Sequence, residues 1–297
     1  MKFAGIIAEY DPFHNGHAAQ LAAVRAAGAD CVAVCLSSGA VQRGGVPILP
    51  ESVRVRAALG AGADIVIALP APYACATAEQ FAAAGVHLLA ALGCDTLAFG
   101  AETPDAAALL DAAQLLLSGE INALIRKKLA TGMTYAAARA DAAETLRPGM
   151  GTLLRTPNNI LGIEYLKALR RVKSRIQPFT IKRMESDYHD QTLRSTYSSA
   201  SAIRSLLAYS SSVLQTQQVT GETFENTPFS SILNELEDQV PKSCLALLKD
   251  YHKVLYPVYQ NDFSLLMKYK LLNKTPQSLI RYMDVSETLA NRIQNNL

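Results

Sequence analysis

From residue 3 to residue 181, short apolar segments of strand length alternate with longer alanine- and leucine-rich segments of helical length. The strand-length segments are Phe3–Ala8, Cys31–Leu36, Ile65–Leu69, Thr96–Phe99 and Pro178–Ile181, and the helical ones are His17–Ala27, Pro50–Leu59, Ala78–Leu92 and Pro104–Leu117. Apolar residues at mostly consecutive positions are typical of strands buried on both faces. The alternation predicts an α/β fold with a doubly wound parallel sheet and helices on both sides.

The residues at the ends of the predicted helices fit this pattern. Gly28, Gly60 and Gly93 directly follow helical segments, where a left-handed C-terminal cap suits glycine. Thr77 and Gln80 have the spacing of a capping box at a helix start. Pro50 and Pro104 suit the first position of a helix, and Thr103 can cap the helix that begins at Pro104.

Composition indicates a globular protein of 297 residues, of which 49% are hydrophobic and 18% charged. No apolar run is long enough to cross a bilayer, and the N-terminus lacks the basic flank and long apolar centre of a signal peptide. We therefore expect a cytoplasmic protein with no membrane or DNA partner. The cysteines are odd in number and form no C-x-x-C pair, which favours buried free thiols over metal ligation or disulfides. They are Cys31, Cys35, Cys75, Cys94 and Cys244.

Composition also divides the chain into three predicted parts. Alanine is frequent up to about residue 176, whereas residues 211–297 contain only Ala246 and Ala290. We predict a first domain at 1–208, a polar linker or mobile loop at 209–231, and a helical module at 232–297. The net charge is −3 over residues 1–150 and +5 over residues 151–297. That distribution suits a polyanion such as RNA, but it is also common in ordinary domains.

The segment EYDPFHNGH, from Glu9 to His17, lies where the first predicted strand ends and the first predicted helix begins. In open α/β sheets ligands bind beyond the carboxyl ends of strands, and a helix N-terminus there offers free N–H groups to a phosphate. His14 and His17 are three residues apart, so both imidazoles can donate hydrogen bonds toward one side. Gly16 allows close approach of a ligand, and Pro12 is expected to keep the entering chain extended. The alternative is an exposed loop whose histidines have no chemical role.

This segment resembles the H-x-G-H signature of the nucleotidylyltransferase superfamily, which shares its fold with class I aminoacyl-tRNA synthetases. Longer stretches are similar to the bacterial tRNA(Met) cytidine acetate ligase family, nearly from end to end. They are GIIAEYDPFHNGH, VQRG (Val41–Gly44), LAFGAE (Leu97–Glu102), RTPNNILGIEYLKAL (Arg155–Leu169), IKR (Ile181–Arg183), SSASAIRSLL (Ser198–Leu207), DFSLLMKYKLL (Asp262–Leu272) and DVSETLANRI (Asp284–Ile293). The resemblance implies a Rossmann-like nucleotidylyltransferase fold with a smaller helical C-terminal domain.

The resemblance also implies an ATP-dependent ligase. Members of the family make acetyl-adenylate from acetate and ATP and acetylate the wobble cytidine of elongator tRNA(Met) to N4-acetylcytidine. Mg²⁺ is expected with ATP, held mainly by phosphate oxygens. Two alternatives stay open: an adenylyltransferase acting on a phosphorylated small molecule, and a shortened, non-catalytic protein that binds nucleotide or tRNA. The second arises because family members continue beyond residue 297 with a basic segment that contributes to tRNA binding.

Carried over by position, the resemblance implies an ATP site made of one continuous segment and six further residues. His14 and His17 are expected to act as catalytic residues at the phosphates. The segment consists of Ile7, Ala8, Glu9, Tyr10, Asp11, Pro12, Phe13, His14, Asn15, Gly16, His17, Ala18, Ala19 and Gln20, and the further residues are Gly100, Asn158, Arg183, Ser199, Ser201 and Arg204.

Each of the six further residues also has a purely structural interpretation. Gly100 can simply end a strand, Asn158 can cap a helix, and Arg183 can be a solvated surface charge. Asn159 is an alternative to Asn158, because the Asn-Asn pair leaves the register open. The last three residues form the pattern S-x-S-x-x-R, whose hydroxyls, N–H groups and arginine can hold the β- and γ-phosphates or merely cap the helix over residues 202–207.

Two other histidines are assigned no chemical role. His87 lies among apolar residues of a predicted helix and is predicted to pack in the core. His189 has Asp187 and Asp190 as neighbours, but no fourth ligand is apparent, which favours a surface loop. We predict no metal site formed by the protein.

Two stretches depart from the family pattern. Asp11 stands where the family usually has Asn, and its carboxylate is expected either to repel the triphosphate or to orient a histidine. Residues 37–40, SSGA, stand where the family usually has S-G-N-F. The loss of a polar and an aromatic side chain is expected to widen or weaken the acid-binding pocket.

Overall fold

The structure is a computed structural model that describes residues 1–183, 198–209, 229–282 and 285–297. Two compact units are present, Met1–Pro257 and Val258–Leu297. The division at Pro257 differs from the predicted start of the helical module at residue 232. Ile232, Leu236 and Leu248 are buried in the same apolar cluster as the central strands, which places the segment up to Pro257 in the first unit.

A parallel five-stranded sheet forms the centre of the first unit, in the order β3-β2-β1-β4-β5. The strands are β1 (Phe3–Ala8), β2 (Cys31–Ser37), β3 (Ile65–Leu69), β4 (Thr96–Ala101) and β5 (Gln177–Lys182). All five predicted strands are confirmed, with some ends one or two residues longer. The doubly wound α/β fold class is confirmed as well.

Helices follow or connect these strands throughout the first unit. They are α1 (Asn15–Ala26), α2 (Glu51–Gly60), α3 (Ala71–Ala74), α4 (Ala78–Ala91), α5 (Ala106–Leu116), α6 (Gly119–Leu129), α7 (Tyr135–Leu146), α8 (Met150–Leu153), α9 (Pro157–Arg171), α10 (Ala200–Tyr209), α11 (Phe229–Leu236) and α12 (Lys242–Tyr251). The four helices expected in the first 117 residues correspond to α1, α2, α4 and α5. Helices α3 and α6 to α8 were not predicted, whereas the capping role considered for Asn158 implied a helix at the position of α9.

The sheet buries two apolar clusters, one on each face. Alternate residues of β1 point to opposite faces, so Phe3 and Ile7 belong to the cluster with α4, α5 and α9. Ala4 and Ile6 belong to the cluster with α1, α2, α11 and α12. Helix α4 lies very close to β1, because a Cβ added at Gly5 would be 2.7 Å from a methyl carbon of Leu89. The edge strands β3 and β5 are only partly buried, unlike the prediction for every strand.

Several predicted helix ends need correction. Gly28 and Gly93 have the expected left-handed φ of 92° and 82°. Gly60 does not follow α2 but is its last residue, and the left-handed conformation occurs two residues later, at Gly62 with a φ of 108°. Thr77 caps α4 as expected, since its hydroxyl accepts the N–H of Gln80.

Neither predicted proline takes the first helical position. Pro50 is the residue before α2 and supplies no side-chain hydrogen bond. Pro104 lies outside α5, which begins after Asp105. The Asp105 carboxylate accepts the N–H groups of Ala107 and Ala108, and this cap satisfies two amides in the first turn of α5.

The second unit consists of a 3-10 turn (Gln260–Phe263) and helices α13 (Ser264–Leu272), α14 (Pro276–Leu279) and α15 (Glu287–Gln294). Pro276 opens α14, where its missing N–H costs no hydrogen bond. Thr275 and Ser286 cap α14 and α15 with their hydroxyls. The helical character expected for this part of the chain is confirmed.

Three smaller expectations can be compared with the structure. Cys35, Cys94 and Cys244 are buried and free, whereas Cys75 is exposed. His87 is exposed on α4 rather than packed in the core, because the helical repeat turns neighbours such as Val86 and Leu89 inward instead. Across the described ranges no single helix is long and apolar enough to cross a membrane. In the part of the chain that the structure describes, only α5 and α6 taken together, bent by 71° at their break, reach that length and composition.

Candidate nucleotide site

The candidate site lies at the carboxyl end of β1, in the centre of the sheet. The chain runs from β1 outward through β2 to β3 and then returns to β4 on the other side of β1. In an open parallel sheet this reversal leaves a crevice beyond the strand ends, where ligands bind. The segment from Glu9 to His14 leads from β1 into α1 at that crevice. It is therefore placed where the sequence predicted.

The two imidazoles of the H-x-G-H segment stack on each other. Their ring centroids are 3.7 Å apart with 29° between the planes. His14 is the N-cap of α1 and 1% exposed, and His17 is partly exposed. Tyr10 and Phe13 contact the His17 ring with centroid distances of 4.7 and 5.5 Å. The predicted common orientation of His14 and His17 is confirmed.

Hydrogen bonds define which nitrogen of each imidazole carries the proton. The Nδ1 of His14 accepts the N–H of Gly16 at 3.1 Å, and the Nδ1 of His17 accepts the N–H of His14 at 3.3 Å. A neutral imidazole that accepts at Nδ1 carries its proton on Nε2. Both rings therefore carry their proton on Nε2.

Burial keeps both imidazoles neutral. It lowers the pKa of His14 to about 3, with the nearby charges of Arg183 and Arg204 adding to the effect. The pKa of His17 is also lowered well below its usual range, mainly by burial, with the neighbouring His14 and Arg183 adding to the effect. Two guanidinium groups therefore lie close enough to affect the pair.

The free energy of unfolding should fall as the pH drops below about 6.5. His14 then becomes protonated in the unfolded chain but stays neutral in the folded protein. From the pKa of about 3 in the folded state, the loss at pH 5 is roughly 2 kcal/mol. A His14→Gln variant lacks this contribution, so the advantage of wild type over it should shrink by about that amount between pH 7.5 and 5. Urea unfolding at both pH values measures this difference, and parallel pH dependences of the two proteins would contradict the assignment.

The first amides of α1 are already occupied, which differs from the predicted free N–H groups. The N–H of Asn15 bonds to the Gln239 carbonyl, that of Gly16 to the His14 ring, and those of His17 and Ala18 to the His14 carbonyl. Because the backbone closes its own first turn, α1 offers its dipole and its imidazoles, rather than bare amides, to an anion.

Arg183 lies at the same crevice, directly after β5. Its guanidinium donates to the Oδ1 of Asn158 at 2.7 Å. The side chain also crosses Gly100, where an added Cβ would be 3.1 Å from its Cγ. Gly100 therefore leaves room for Arg183, and it is the second-last residue of β4 rather than its end.

The neighbouring residues Asn158 and Asn159 make different contacts, and Asn158 is the one that meets Arg183. Asn158 is the second residue of α9 and not its cap, which is Thr156. Asn159 is 1% exposed and bonds to the backbone and hydroxyl of Thr103. The Glu102 carboxylate accepts the N–H groups of both asparagines and the Nδ2 of Asn158. Glu102 thus fixes Asn158, which in turn contacts Arg183.

Replacing Glu102 by glutamine should weaken ATP binding about tenfold. The amide has one acceptor where the carboxylate has two, so Asn158 and Arg183 lose their fixed geometry, and a hydrogen bond to a charged group is worth about 1.5–3 kcal/mol. Calorimetric titration with ATP measures the effect. The matched control is Asp105→Asn, which makes the same carboxylate-to-amide change at the N-cap of α5. Equal losses in the two variants would contradict a role specific to the site.

The S-x-S-x-x-R segment meets the H-x-G-H segment through its arginine. Arg204 donates to the backbone carbonyl of Asp11 at 2.6 Å and to the hydroxyl of Ser201 at 2.9 Å. The hydroxyl of Ser199 accepts the N–H of Ala202 at 3.1 Å. This is the helix-capping role that the sequence offered as the alternative to phosphate binding. The structure thus brings Arg204 and Ser201 beside the imidazole pair, while Ser199 caps α10.

Asp11 does not face the crevice with its carboxylate, contrary to both expectations from the sequence. It is 4% exposed and accepts the N–H groups of Ile48 and Leu49 at 3.0 and 3.1 Å. Burial raises its pKa, opposed mainly by these amides and the charge of Arg204. Glu9 similarly accepts the N–H of Gln42 at 2.7 Å. The extra carboxylate therefore anchors the loop that carries residues 38–49.

Buried Arg54 holds together the backbone around the candidate site, a role that was not predicted from the sequence. It is 0% exposed and donates to the carbonyls of Glu9 (2.8 Å), Ser37 (2.7 Å) and Leu49 (3.1 Å), and also to that of Ser38. One guanidinium thereby joins the ends of β1 and β2 to the loop between them and α2. A signal was present, since Arg54 shares the inward phase of Val53, Ala57 and Ala58.

The other predicted contact residues of the segment have varied surroundings. Ile7, Tyr10 and Phe13 are buried in the core, and Ala8 is partly buried at the end of β1. Asp11 and Pro12 form a turn with a cis peptide bond, so the chain does not run extended through Pro12 as predicted. The first turns of α1 contain three further partly exposed residues, Ala18, Ala19 and Gln20.

Within the ranges that the structure describes, no group of three or more His, Cys, Asp or Glu side chains is arranged to hold a metal ion. His189 and its two aspartates lie outside those ranges. The acidic side chains closest to the H-x-G-H segment, Glu9 and Asp11, are bonded to backbone amides.

Comparison with known proteins agrees with this geometry. Residues 1–297 match the family described as HIGH Nucleotidyl Transferase. A tRNA(Met) cytidine acetate ligase of Acetivibrio thermocellus is 36% identical, over 99% of this chain and 69% of the relative. One of Syntrophotalea carbinolica is 39% identical, over 100% and 73%.

Two crystal structures of Thermotoga maritima TmcAL share the fold at 26% identity. The apo form has a TM-score of 0.86 and the form bound with alpha-thio ATP one of 0.83, each over 99% of this chain and 67% of the other. The fold and the stacked histidines define a nucleotidylyltransferase of the H-x-G-H class. Within that class, the chain belongs to the tRNA(Met) cytidine acetate ligase family.

Proposed function

We propose that this protein is an ATP-dependent ligase that activates acetate as acetyl-adenylate and acetylates the wobble cytidine of elongator tRNA(Met). The observation that carries the proposal is the meeting of two neutral imidazoles with Arg183 and Arg204 at the carboxyl end of β1. Membership of the family and the ATP analogue bound to the similar Thermotoga maritima structure support the choice of nucleotide and acceptor.

In the first step, a carboxylate oxygen of acetate attacks the α-phosphorus of ATP. A bond forms between that oxygen and phosphorus, the bond from the α-phosphorus to the bridging oxygen breaks, and pyrophosphate leaves with the electron pair. Acetate is already ionised at neutral pH, so no general base is needed. Negative charge grows on the phosphate oxygens in the transition state, where Nε2–H donors of His14 and His17 stabilise it.

Other polar and cationic side chains bind the nucleotide in this step. Ser201 and Arg204 hold the departing pyrophosphate. Arg204 is fixed by its bond to the Asp11 carbonyl, and it donates in turn to the Ser201 hydroxyl. Arg183, held by Asn158, positions the nucleotide. Mg²⁺ is proposed to accompany the triphosphate on phosphate oxygens, because the neighbouring carboxylates Glu9 and Asp11 are bonded to backbone amides.

In the second step, the exocyclic amine of the cytidine attacks the carbonyl carbon of acetyl-adenylate. The new C–N bond replaces the C–O bond of the mixed anhydride, AMP leaves, and the amine proton is released to solvent. Both ATP and tRNA are cytoplasmic substrates, so we propose the same location for the protein.

Acetate-dependent exchange of labelled pyrophosphate into ATP tests the first step. We expect exchange with acetate and none without an acid. Mass spectrometry of elongator tRNA(Met), incubated with protein, ATP and acetate, tests the second step and should find one added acetyl group. Absence of exchange at saturating substrates would reject adenylate formation. Pyrophosphate release only with a phosphorylated acceptor would favour the other adenylyltransferase class, and ATP binding without turnover a non-catalytic protein.

A further inference from the structure

The turn after α11 contacts both halves of the candidate phosphate site. Gln239 in this turn is 4% exposed. Its backbone carbonyl accepts the N–H of Asn15 at 2.9 Å, and its side-chain Oε1 accepts the N–H of Ser198 at 3.1 Å. The carbonyl of the preceding Asp238 accepts the Nδ2 of Asn15 at 2.7 Å.

These bonds connect the turn to the start of α1 and to the residue just before the cap of α10. Asn15 is the first residue of α1 and lies between the catalytic histidines, one residue after His14. Ser198 directly precedes Ser199, whose hydroxyl caps α10, the helix that carries Ser201 and Arg204. One side chain and its own carbonyl thus connect the starts of the two helices that face the phosphates.

The turn itself is fixed to the core. The N–H groups of Gln239 and Val240 both bond to the Leu236 carbonyl, at 2.9 and 3.2 Å. Leu236 and Ile232 of α11 are 0% and 1% exposed in the apolar cluster on that face of the sheet. The position of Gln239 is therefore set by packing, and it can serve as a reference point for the two helix starts.

We infer that Gln239 is a positioning residue that sets the distance between the imidazole pair and the Ser201–Arg204 pair. It touches neither the nucleotide nor the reacting atoms and acts through Asn15 and Ser198. The inference rests on the proposed function only in requiring that a triphosphate bind at this crevice. It extends the site to a part of the chain more than 200 residues beyond the H-x-G-H segment.

Substitution of Gln239 separates the positioning role from a general effect on stability. Methionine is nearly the same size but accepts no comparable hydrogen bond from Ser198, whereas glutamate keeps an acceptor oxygen. Gln239→Met should raise the KM for ATP in pyrophosphate exchange at least fivefold and leave the KM for acetate within twofold. Gln239→Glu should stay within threefold of wild type for both.

The matched control is Ile232→Val, which loosens α11 without touching the turn. Such a change costs stability through lost packing, so it should lower the melting temperature and leave the KM for ATP unchanged. A rise in this KM equal to that of Gln239→Met would overturn the inference, as would a wild-type KM in Gln239→Met. So would a defect in Gln239→Glu as large as that in Gln239→Met.

Two further measurements keep the test independent of folding and of the proposed reaction. Asn15→Ala removes the bond to Asp238 from the other side and should raise the KM for ATP by itself. Its effect should be less than multiplicative with that of Gln239→Met, because the two changes act at one junction. If wild type shows no exchange, the proposed reaction fails, and calorimetric Kd values for ATP across the same variants still decide the role of Gln239.

Discussion

Replacing His17 with alanine is expected to lower the rate of acetate-dependent pyrophosphate exchange by about 10²- to 10³-fold, as loss of one donor to a developing oxyanion typically does. The Nδ1 of His17 accepts the N–H of His14, so its Nε2 carries the proton and can donate to a phosphate oxygen. Alanine removes that donor and also leaves the His14 amide without this acceptor.

The effect should fall on kcat more than on the KM for ATP. A donor that meets charge built up only in the transition state contributes little to ground-state binding. Exchange rates measured across ATP and acetate concentrations separate the two constants. His87→Ala is the matched control, since His87 is exposed on α4, and its exchange rate should equal that of wild type. Exchange by His17→Ala within tenfold of wild type would remove the role given to the imidazole pair.

Replacing Arg54 with methionine is expected to lower the free energy of unfolding by about 3–5 kcal/mol, the range for breaking a buried charged network by deleting one partner. Burial lowers the pKa of the guanidinium, while the charges of Asp11, Glu51 and Glu9 oppose that shift. Methionine fills much of the space but donates no hydrogen bond. The carbonyls of Glu9, Ser37, Ser38 and Leu49 then lose the donor that they share.

Urea unfolding measures this loss, and Arg56→Met on the same helix is its control. Arg56 is exposed and lies 5.9 Å from the centroid of the Tyr251 ring, so its replacement should cost less than about 1 kcal/mol. Arg54→Lys should lie between the two, because lysine keeps the charge but lacks the planar fork. Similar losses in Arg54→Met and Arg56→Met would show that the buried bonds contribute little.

Some properties of the site follow from local sequence, and others do not. Strand β1 and the start of α1 are encoded by consecutive residues, so the position of His14 and His17 at a strand–helix junction is predictable. The family resemblance added Gly100, Asn158 and Arg183, and the structure places them at the same crevice. Asn158 and Asn159 were not separable from sequence, since only the contacts of α9 with Glu102 and Thr103 distinguish them.

The boundary of the second unit shows a different limit. A polar stretch at 209–231 indicates a break in the chain, but a break in composition does not reveal where the following helices pack. Helices α11 and α12 bury Ile232, Leu236 and Leu248 against the sheet and therefore belong to the first unit. Those contacts join residues that are distant in sequence, and no local pattern encodes them.

By itself, the sequence determined the parallel sheet and the place of the H-x-G-H segment, because hydrophobic periodicity and short motifs are local signals, and its resemblance to a known family indicated the class of chemistry. Tertiary structure alone decided that Asp11 anchors a loop, that Arg54 joins four carbonyls, and that Gln239 connects two helix starts. The physical reason is that a buried polar group needs partners, and folding brings those partners from any part of the chain.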